Sequence, residues 1–279
     1  MDTRVKSPIK AAELSSEGDR HFDGMADKFS RSLYNAPRGE LRLALLDALL
    51  PDMLTALQST PPLSGTRVLD VGAGLGQQAV WFARRGFRVT LTEPSDDMLA
   101  HAKQVLQDAP ELAGKVDCYP LALQQLPGAL PGPWRLIVCH AVLEWLGNPR
   151  QALGYLSQLL APGGELSLMV FNRDALRFSN VVKGNWQKVR EDRLEGLGMR
   201  QRLTPISPVT HEQITQWSES LGLEVRQVAG VRIFQDYMRR PAESAEEQAE
   251  LLALEKQFCR AEPHWRLGRY LLYTLAKTA

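Results

Sequence analysis

The stretch VLDVGAGLG, Val68 to Gly76, constrains the fold more than any other part of the chain. An apolar run that ends in glycines at 72, 74 and 76 and passes directly into QQAVWFARRG reads as a buried strand, a tight turn and a helix. A turn of this kind usually holds a nucleotide-bearing small molecule. The rhythm then repeats. FRVTLTE reads as a second strand, and SDDMLAHAKQVLQDA as a helix with Ser95 as N-cap and Asp96 and Asp97 in its first turn, where the helix dipole favours anions. KVDCYPLAL reads as a third, shorter strand and WRLIVCHAV as a fourth. NPRQALGYLSQLLAPGG is a helix with Pro149 early and a Pro-Gly-Gly stop, and ELSLMVFN is a fifth strand. Strands alternating with helices at this spacing predict right-handed crossovers and a mostly parallel sheet with helices on both faces.

Either side of this block the pattern changes. Residues 1–20 are polar and aperiodic and read as a loose tail, leaving 21–279 as a single domain. FDGMADKFSRSLY spaces Phe22, Met25, Phe29 and Leu33 as a helix, and RGELRLALLDALLPDML continues in the same mode until Pro51 interrupts it. After Asn172 the alternation breaks. The segment from Arg173 to Arg202 is helical in parts and carries eight Lys/Arg against four Asp/Glu. THEQITQWSESLGLEV predicts a helix and then a strand through Val225, EEQAELLALEKQF an acidic amphipathic helix, and RYLLYTLAK a last strand.

Composition excludes some function classes. The formal net charge of the 279 residues is only +1, so a nucleic-acid partner would have to be met by a local basic surface. The three cysteines are far apart with no CxxC pair. Cys118 and Cys139 lie in apolar runs and read as buried thiols, and no metal site is expected. No signal peptide or 18-residue apolar run is present, which predicts a cytoplasmic setting and no membrane partner.

The glycine spacing identifies the ligand class. A dinucleotide fingerprint is GxGxxG, whereas here position 77 is Gln and the pattern is GxGxG, preceded by Asp70 at the end of the strand. An acid beside the turn suits a positively charged cofactor better than a pyrophosphate. At the tip of the second strand Glu93 can take both hydroxyls of a ribose, one through each carboxylate oxygen. The combination is similar to motif I of the class I S-adenosylmethionine-dependent methyltransferases, with a Rossmann-like seven-stranded sheet. A plain tight turn and a nicotinamide or flavin site are the alternatives.

FDGMADKFSRSLY, RGELR, CHAVLEWLGNPR, LSLMVFN, GVRIFQDYMR and FCRAEPHWRLGRY, in this order from about residue 20 to about 275, together resemble the bacterial tRNA 5-carboxymethoxyuridine methyltransferases. The resemblance implies methyl transfer from S-adenosylmethionine to the carboxylate of 5-carboxymethoxyuridine at the wobble position of the tRNA anticodon loop. It implies that Arg42 meets the methionine carboxylate and that Gly72 and Ala73 form the motif I turn. Glu93, which stands where family members can carry Asp, holds the ribose. Ala122 and Leu123 sit at the adenine, and His140 closes the site near the methionyl part.

A carboxylate acceptor is already ionised at neutral pH, so no catalytic base is assigned. It does need a cationic partner, for which a guanidinium fork is apt. Arg232, Arg269 with Tyr270, and Arg31 with Tyr34 are the candidates for the acceptor carboxylate or an adjacent phosphate. The basic run from Arg173 to Arg202, with Phe178 and Trp186 interleaved, is the expected RNA surface, while Trp145 reads as core. Two other classes stay open: a small-molecule carboxylate methyltransferase that needs no RNA, and a catalytically silent cofactor-binding scaffold.

Overall fold

The computed structural model describes residues 18–20, 24, 26, 36–58, 66–130, 132–195 and 204–278. The chain runs α1 (Pro37–Met53), α2 (Thr55–Gln58), β1 (Arg67–Val71), α3 (Gln77–Arg84), β2 (Arg88–Thr92), α4 (Asp96–Gln107) and β3 (Val116–Tyr119). It continues through α5 (Leu126–Ala129), β4 (Trp134–His140), α6 (Pro149–Leu159), β5 (Leu160–Phe171), α7 (Arg173–Val182) and α8 (Trp186–Arg190). It closes with α9 (His211–Ser220), β6 (Leu223–Val231), α10 (Ala245–Phe258) and β7 (Tyr270–Lys277). The strands form one sheet in the order β3-β2-β1-β4-β5-β7-β6, with β7 alone antiparallel to its neighbours β5 and β6. This is the mostly parallel α/β sheet that the sequence predicts.

Both faces of the sheet are covered, which is why its inner strands are apolar at nearly every position. Side chains alternate across a strand. Val68, Leu136, Val138, Met169 and Leu272 face one core with α1, α3, α4 and α10. Their neighbours Leu69, Ile137, Cys139, Leu168 and Leu271 face the other, with α5, α6 and α9. Strand order reverses between β1 and β4. In open α/β sheets, ligands bind outside the carboxyl ends of the strands at such a switch point.

Some boundaries differ from the sequence reading. α1 runs through Pro51 to Met53: the carbonyl that proline leaves without a donor belongs to exposed Asp47, where water can take it. The third strand stops at Tyr119, before Pro120, and Leu123 lies in a 3₁₀ turn. Arg232 follows β6 and Arg269 precedes β7, so neither is within a strand. Cys118, on the edge strand β3, is half-buried rather than buried. Most of the helix expected over FDGMADKFSRSLY, with Arg31 and Tyr34, lies outside the described residues, as do residues 1–17 of the expected tail and 196–203 of the basic segment.

Candidate active site

Three left-handed glycines shape the turn after β1: Gly72 at φ +63°, Gly74 at +58° and Gly76 at +83°. Two of them also permit close approaches. A Cβ on Gly72 would lie 2.6 Å from Cγ2 of Val142, and one on Gly76 would lie 3.2 Å from Cβ of Ala102 in α4. The first glycine therefore lets the segment after β4 close over the turn, and the third seats α4. The Ala73 N–H donates to the Thr92 carbonyl at 3.0 Å, tying the turn to the end of β2.

Asp70 ends β1 against this turn. Its buried carboxyl accepts the Ala79 N–H, one of the open donors in the first turn of α3. Desolvation pushes it up to about 7, opposed by that hydrogen bond and reinforced by the negative charge of Glu93. Glu93 is also buried. Its Oε2 accepts the Gly74 N–H at 2.8 Å and its Oε1 the Ser95 N–H at 3.0 Å, so both oxygens are held in a fixed orientation.

His140 ends β4, with its Nε2 at 2.8 Å from Oγ of Ser167. Burial, aided by the nearby charge of Arg42, pulls its pKa down to about 3, so the imidazole is neutral at physiological pH. Glu144 lies in the 3₁₀ turn Leu143–Trp145 and is 1% exposed. Burial pushes its carboxyl up to about 8, against the pull of its own and Phe171 backbone N–H groups and of Arg42.

One cleft at the carboxyl ends of β1, β2 and β4 gathers these groups. Arg42, Gly72, Ala73, Glu93, Ala122, Leu123 and His140, the seven residues expected at the cofactor, all line it. So do Asp70, Gln77, Gln78, Glu144, Met98 and Tyr270. Trp145, read from the sequence as core, lines the cleft instead and is only partly buried, while Leu143 and Glu144 of the same 3₁₀ turn are buried. Residues 18–20 cross beside it: Asp19 accepts from the Gly147 N–H at 2.8 Å and from Nε2 of Gln124, and the Arg20 N–H donates to the Trp145 carbonyl.

The lining suits a cation. Asp70 Oδ2, Gln77 Oε1, Gln78 Oε1 and Glu144 Oε2 are buried acceptor atoms with no hydrogen-bond partner. Buried polar groups are normally paired, so four orphaned acceptors around one cleft mark the place of a ligand that donates hydrogen bonds and carries positive charge. S-adenosylmethionine, cationic at its sulfonium and ammonium groups, fits that donor set. It also has a carboxylate for Arg42 and ribose hydroxyls for Glu93.

A second cluster adjoins the cleft at Tyr270. The guanidinium of Arg42 lies 5.8 Å from the Tyr270 ring centre and that of Arg232 lies 5.7 Å from it. Arg232 grips Asp236 through Nε at 2.8 Å and Nη2 at 2.6 and 2.7 Å, and Arg269 reaches the same carboxylate at 3.1 and 3.3 Å. The side chains of Arg232 and Asp236 are 7% and 2% exposed, so these are not ordinary surface arginines. Two cations on one anion leave a net positive charge beside Tyr270. Arg232 is held in the left-handed region, φ +62°, and the turn after it is pinned from α10. The buried Glu255 carboxylate accepts the N–H groups of Ile233, Phe234 and Gln235 at 2.6, 3.0 and 3.0 Å.

Sequence reasoning missed Glu144, Asp236 and Glu255. A signal for the first was present: Glu144 is an acid inside the otherwise apolar stretch AVLEWL. No group of three or more His, Cys, Asp or Glu able to hold a metal ion occurs among the described residues, and no helix among them is long and apolar enough to cross a membrane.

Known proteins match this arrangement. A family profile described as "Methyltransferase domain" matches residues 39–228. The tRNA 5-carboxymethoxyuridine methyltransferase of Escherichia coli K12 is 38% identical over 261 residues, covering 93% of this chain and 97% of the relative. A ubiquinone biosynthesis O-methyltransferase of Xylella fastidiosa is 32% identical over 187 residues, 67% of this chain and 72% of the relative. Among solved structures, a magnesium protoporphyrin IX methyltransferase from Synechocystis with bound SAH shares the fold, with a TM-score of 0.61 at 14% identity over 92% of this chain and 96% of that one. The chain belongs to the methyltransferase family, and within it to the tRNA 5-carboxymethoxyuridine methyltransferases.

Proposed function

We propose that this protein esterifies the carboxylate of 5-carboxymethoxyuridine at the wobble position of a tRNA anticodon loop, in the cytoplasm. When bound, S-adenosylmethionine supplies the sulfonium-activated methyl group. The observation that carries the reading is Tyr270: it lines the cofactor cleft and has Arg42 on the cleft side and the Arg232–Asp236–Arg269 cluster beside it. An anionic acceptor is thus drawn next to the cleft by net positive charge on a rigid support.

Each residue has a separate task. Glu93 accepts the two ribose hydroxyls, Arg42 pairs with the methionine carboxylate, and Ala122 and Leu123 flank the adenine. Asp70 and Glu144 offer buried oxygens to the cationic part, with His140 neutral beside them. Arg232 and Arg269, with the Tyr270 hydroxyl, orient the acceptor carboxylate. That carboxylate needs no base, since with a pKa of about 3.5 only on the order of one molecule in 10³ is protonated at pH 7. Catalysis is then a matter of holding a ready nucleophile in line and excluding water.

The test is methyl transfer from labelled S-adenosylmethionine to two tRNA pools, one carrying 5-carboxymethoxyuridine and one lacking it. Label only in the first pool, released by mild alkali that cleaves esters, is the expected result. Label in both pools would keep RNA as substrate and refute the modified uridine. Label in a small carboxylic acid with no RNA present would refute both.

A further inference from the structure

Within the described part of the basic segment, residues 173–195, three of the six cations are tied to its own acids. Arg173 pairs with Asp192 and Glu195, Arg177 with Asp174 and Asp192, and Arg193 with Glu191. With six Lys/Arg against four Asp/Glu, that part keeps an excess of two positive charges, and Lys183, Lys188 and Arg190 have no ion pair among the described residues.

A different cationic face forms where three separate segments meet. Arg38 opens α1, Lys183 caps the C-terminus of α7, and Arg239 follows the turn that carries Asp236. All three are exposed, and none has an ion pair among the described residues. They surround the acceptor cluster. Beyond its own burial, Lys183 is held below the usual lysine range by the positive charges of Arg269 and Arg38. Arg38 in turn acts on Asp236, and it lines one groove with Arg239 between α1 and α10. Together with Arg232 and Arg269 these cations outnumber the acids near them, Asp236 and the Glu40 that lines the same groove, and an anionic partner relieves the remaining repulsion.

Apolar surface lies alongside. Phe178 on α7 is 44% exposed and packs edge-on against Tyr237, the neighbour of Asp236, with ring centres 5.2 Å apart. Trp186, three residues beyond Lys183, is 67% exposed. Exposed aromatic rings next to unpaired cations suit a strand whose phosphates and unstacked bases are both available, which a loop offers and a duplex does not.

We infer that the backbone of a single-stranded RNA loop docks on Arg38, Lys183 and Arg239, with bases against Phe178 and Trp186, at the mouth of the acceptor site. The inference rests on the RNA reading above; it keeps Lys183, Phe178 and Trp186 of the 173–202 segment and adds Arg38 and Arg239 from outside it.

The experiment measures binding of a fluorescent anticodon stem–loop RNA carrying 5-carboxymethoxyuridine across a range of KCl. It compares wild type, Arg38→Gln/Lys183→Gln/Arg239→Gln, and Lys188→Gln/Arg190→Gln. Three lost phosphate contacts predict a log–log salt slope shallower by about 2 and binding roughly 50-fold weaker at 0.15 M salt, by counterion release from single-stranded RNA. The Lys188/Arg190 variant should keep the wild-type slope. S-adenosylmethionine affinity, read by calorimetry, should be unchanged in both and reports that they are folded. Phe178→Ala should weaken the stem–loop and leave a fully paired RNA duplex unaffected. A triple variant with the wild-type slope, or equal losses in the two multiple variants, overturns the inference while leaving the methyl-transfer reading intact. Absence of both RNA binding and methyl transfer in the wild-type protein would instead refute the RNA reading itself.

Discussion

Substituting Glu93 with glutamine tests the ribose contact at constant side-chain length. In the wild-type protein one carboxylate oxygen accepts the Gly74 N–H at 2.8 Å and the other the Ser95 N–H at 3.0 Å. Glutamine keeps one acceptor, and its amide nitrogen must face the other N–H, donor against donor. A hydrogen bond to a charged group contributes about 1.5–3 kcal/mol, a neutral one about 1 kcal/mol, and a buried donor without an acceptor costs about 1–3 kcal/mol. Removing the carboxylate also removes its repulsion of Asp70, which offsets part of the loss. The net destabilisation should be about 1–2 kcal/mol, a fall in Tm of about 2–8 °C for a chain of this size. Cofactor binding loses more, because two charge-assisted ribose bonds become at best one neutral bond. A loss of about 2–3 kcal/mol raises Kd about 30- to 150-fold. Calorimetric titration with S-adenosylhomocysteine and with its 2′-deoxyribose analogue separates the contact from general damage. Wild type should prefer the ribose form by about tenfold, one good charge-assisted bond, and the variant should discriminate little. A variant that binds within about threefold of wild type, or that keeps the full ribose preference, would refute Glu93 as the ribose ligand.

Two further outcomes follow from the same cleft. Gly72→Ala should destabilise the protein by about 2–4 kcal/mol in urea unfolding, combining a left-handed alanine with overpacking against Val142. Adding Val142→Ala should recover the steric part alone, and full recovery would show that the backbone conformation carries no cost. The pH dependence of binding follows from Asp70 at about 7 and Glu144 at about 8 in the free protein. Both are raised, so the stability that their protonated forms contribute is present below pH about 4 and lost as pH rises through 7 and 8. A cationic ligand favours the carboxylates, so binding releases protons and S-adenosylmethionine affinity should rise with pH across that window. A flat affinity profile, with no dependence of the calorimetric enthalpy on buffer ionisation, would exclude both groups as ligands of the cation.

The sheet was legible because the inner strands are apolar runs and because helices separate successive parallel strands. What periodicity could not fix was where a pattern stops. Pro51 was read as a helix stop, yet a proline near a helix end forfeits only the bond to a carbonyl that can face water, as that of exposed Asp47 does. Pro120 follows the last residue of β3, Tyr119, whose carbonyl accepts the Glu93 N–H at the end of the ladder with β2.

A further distinction separates the site residues that were read from those that were missed. Gly72, Glu93 and His140 are fixed by their place at strand ends, so the βα order alone brings them to one cleft. Charge is different, because a charged residue has meaning only with its partner, and partners are set by tertiary contact. The pairing of Arg177 with Asp174 is an i,i+3 helix pair and could be read locally, whereas Arg173 finds Asp192 and Glu195 through a fold-back of the chain. Counting residues between 173 and 202 therefore gave the excess of that segment but not which of its cations are tied to acids. It also missed what joins Lys183 to Arg38 and Arg239, which lie far from it in sequence and meet it only when α1, α7 and the Asp236 turn converge. The acids Asp236 and Glu255 show why the convergence is orderly. One neutralises half of the Arg232–Arg269 pair and the other fixes the backbone between them, so the cations are presented at set positions instead of repelling one another apart. A positive surface built this way is specific in shape as well as in sign, which is what recognition of one modified base within a loop requires.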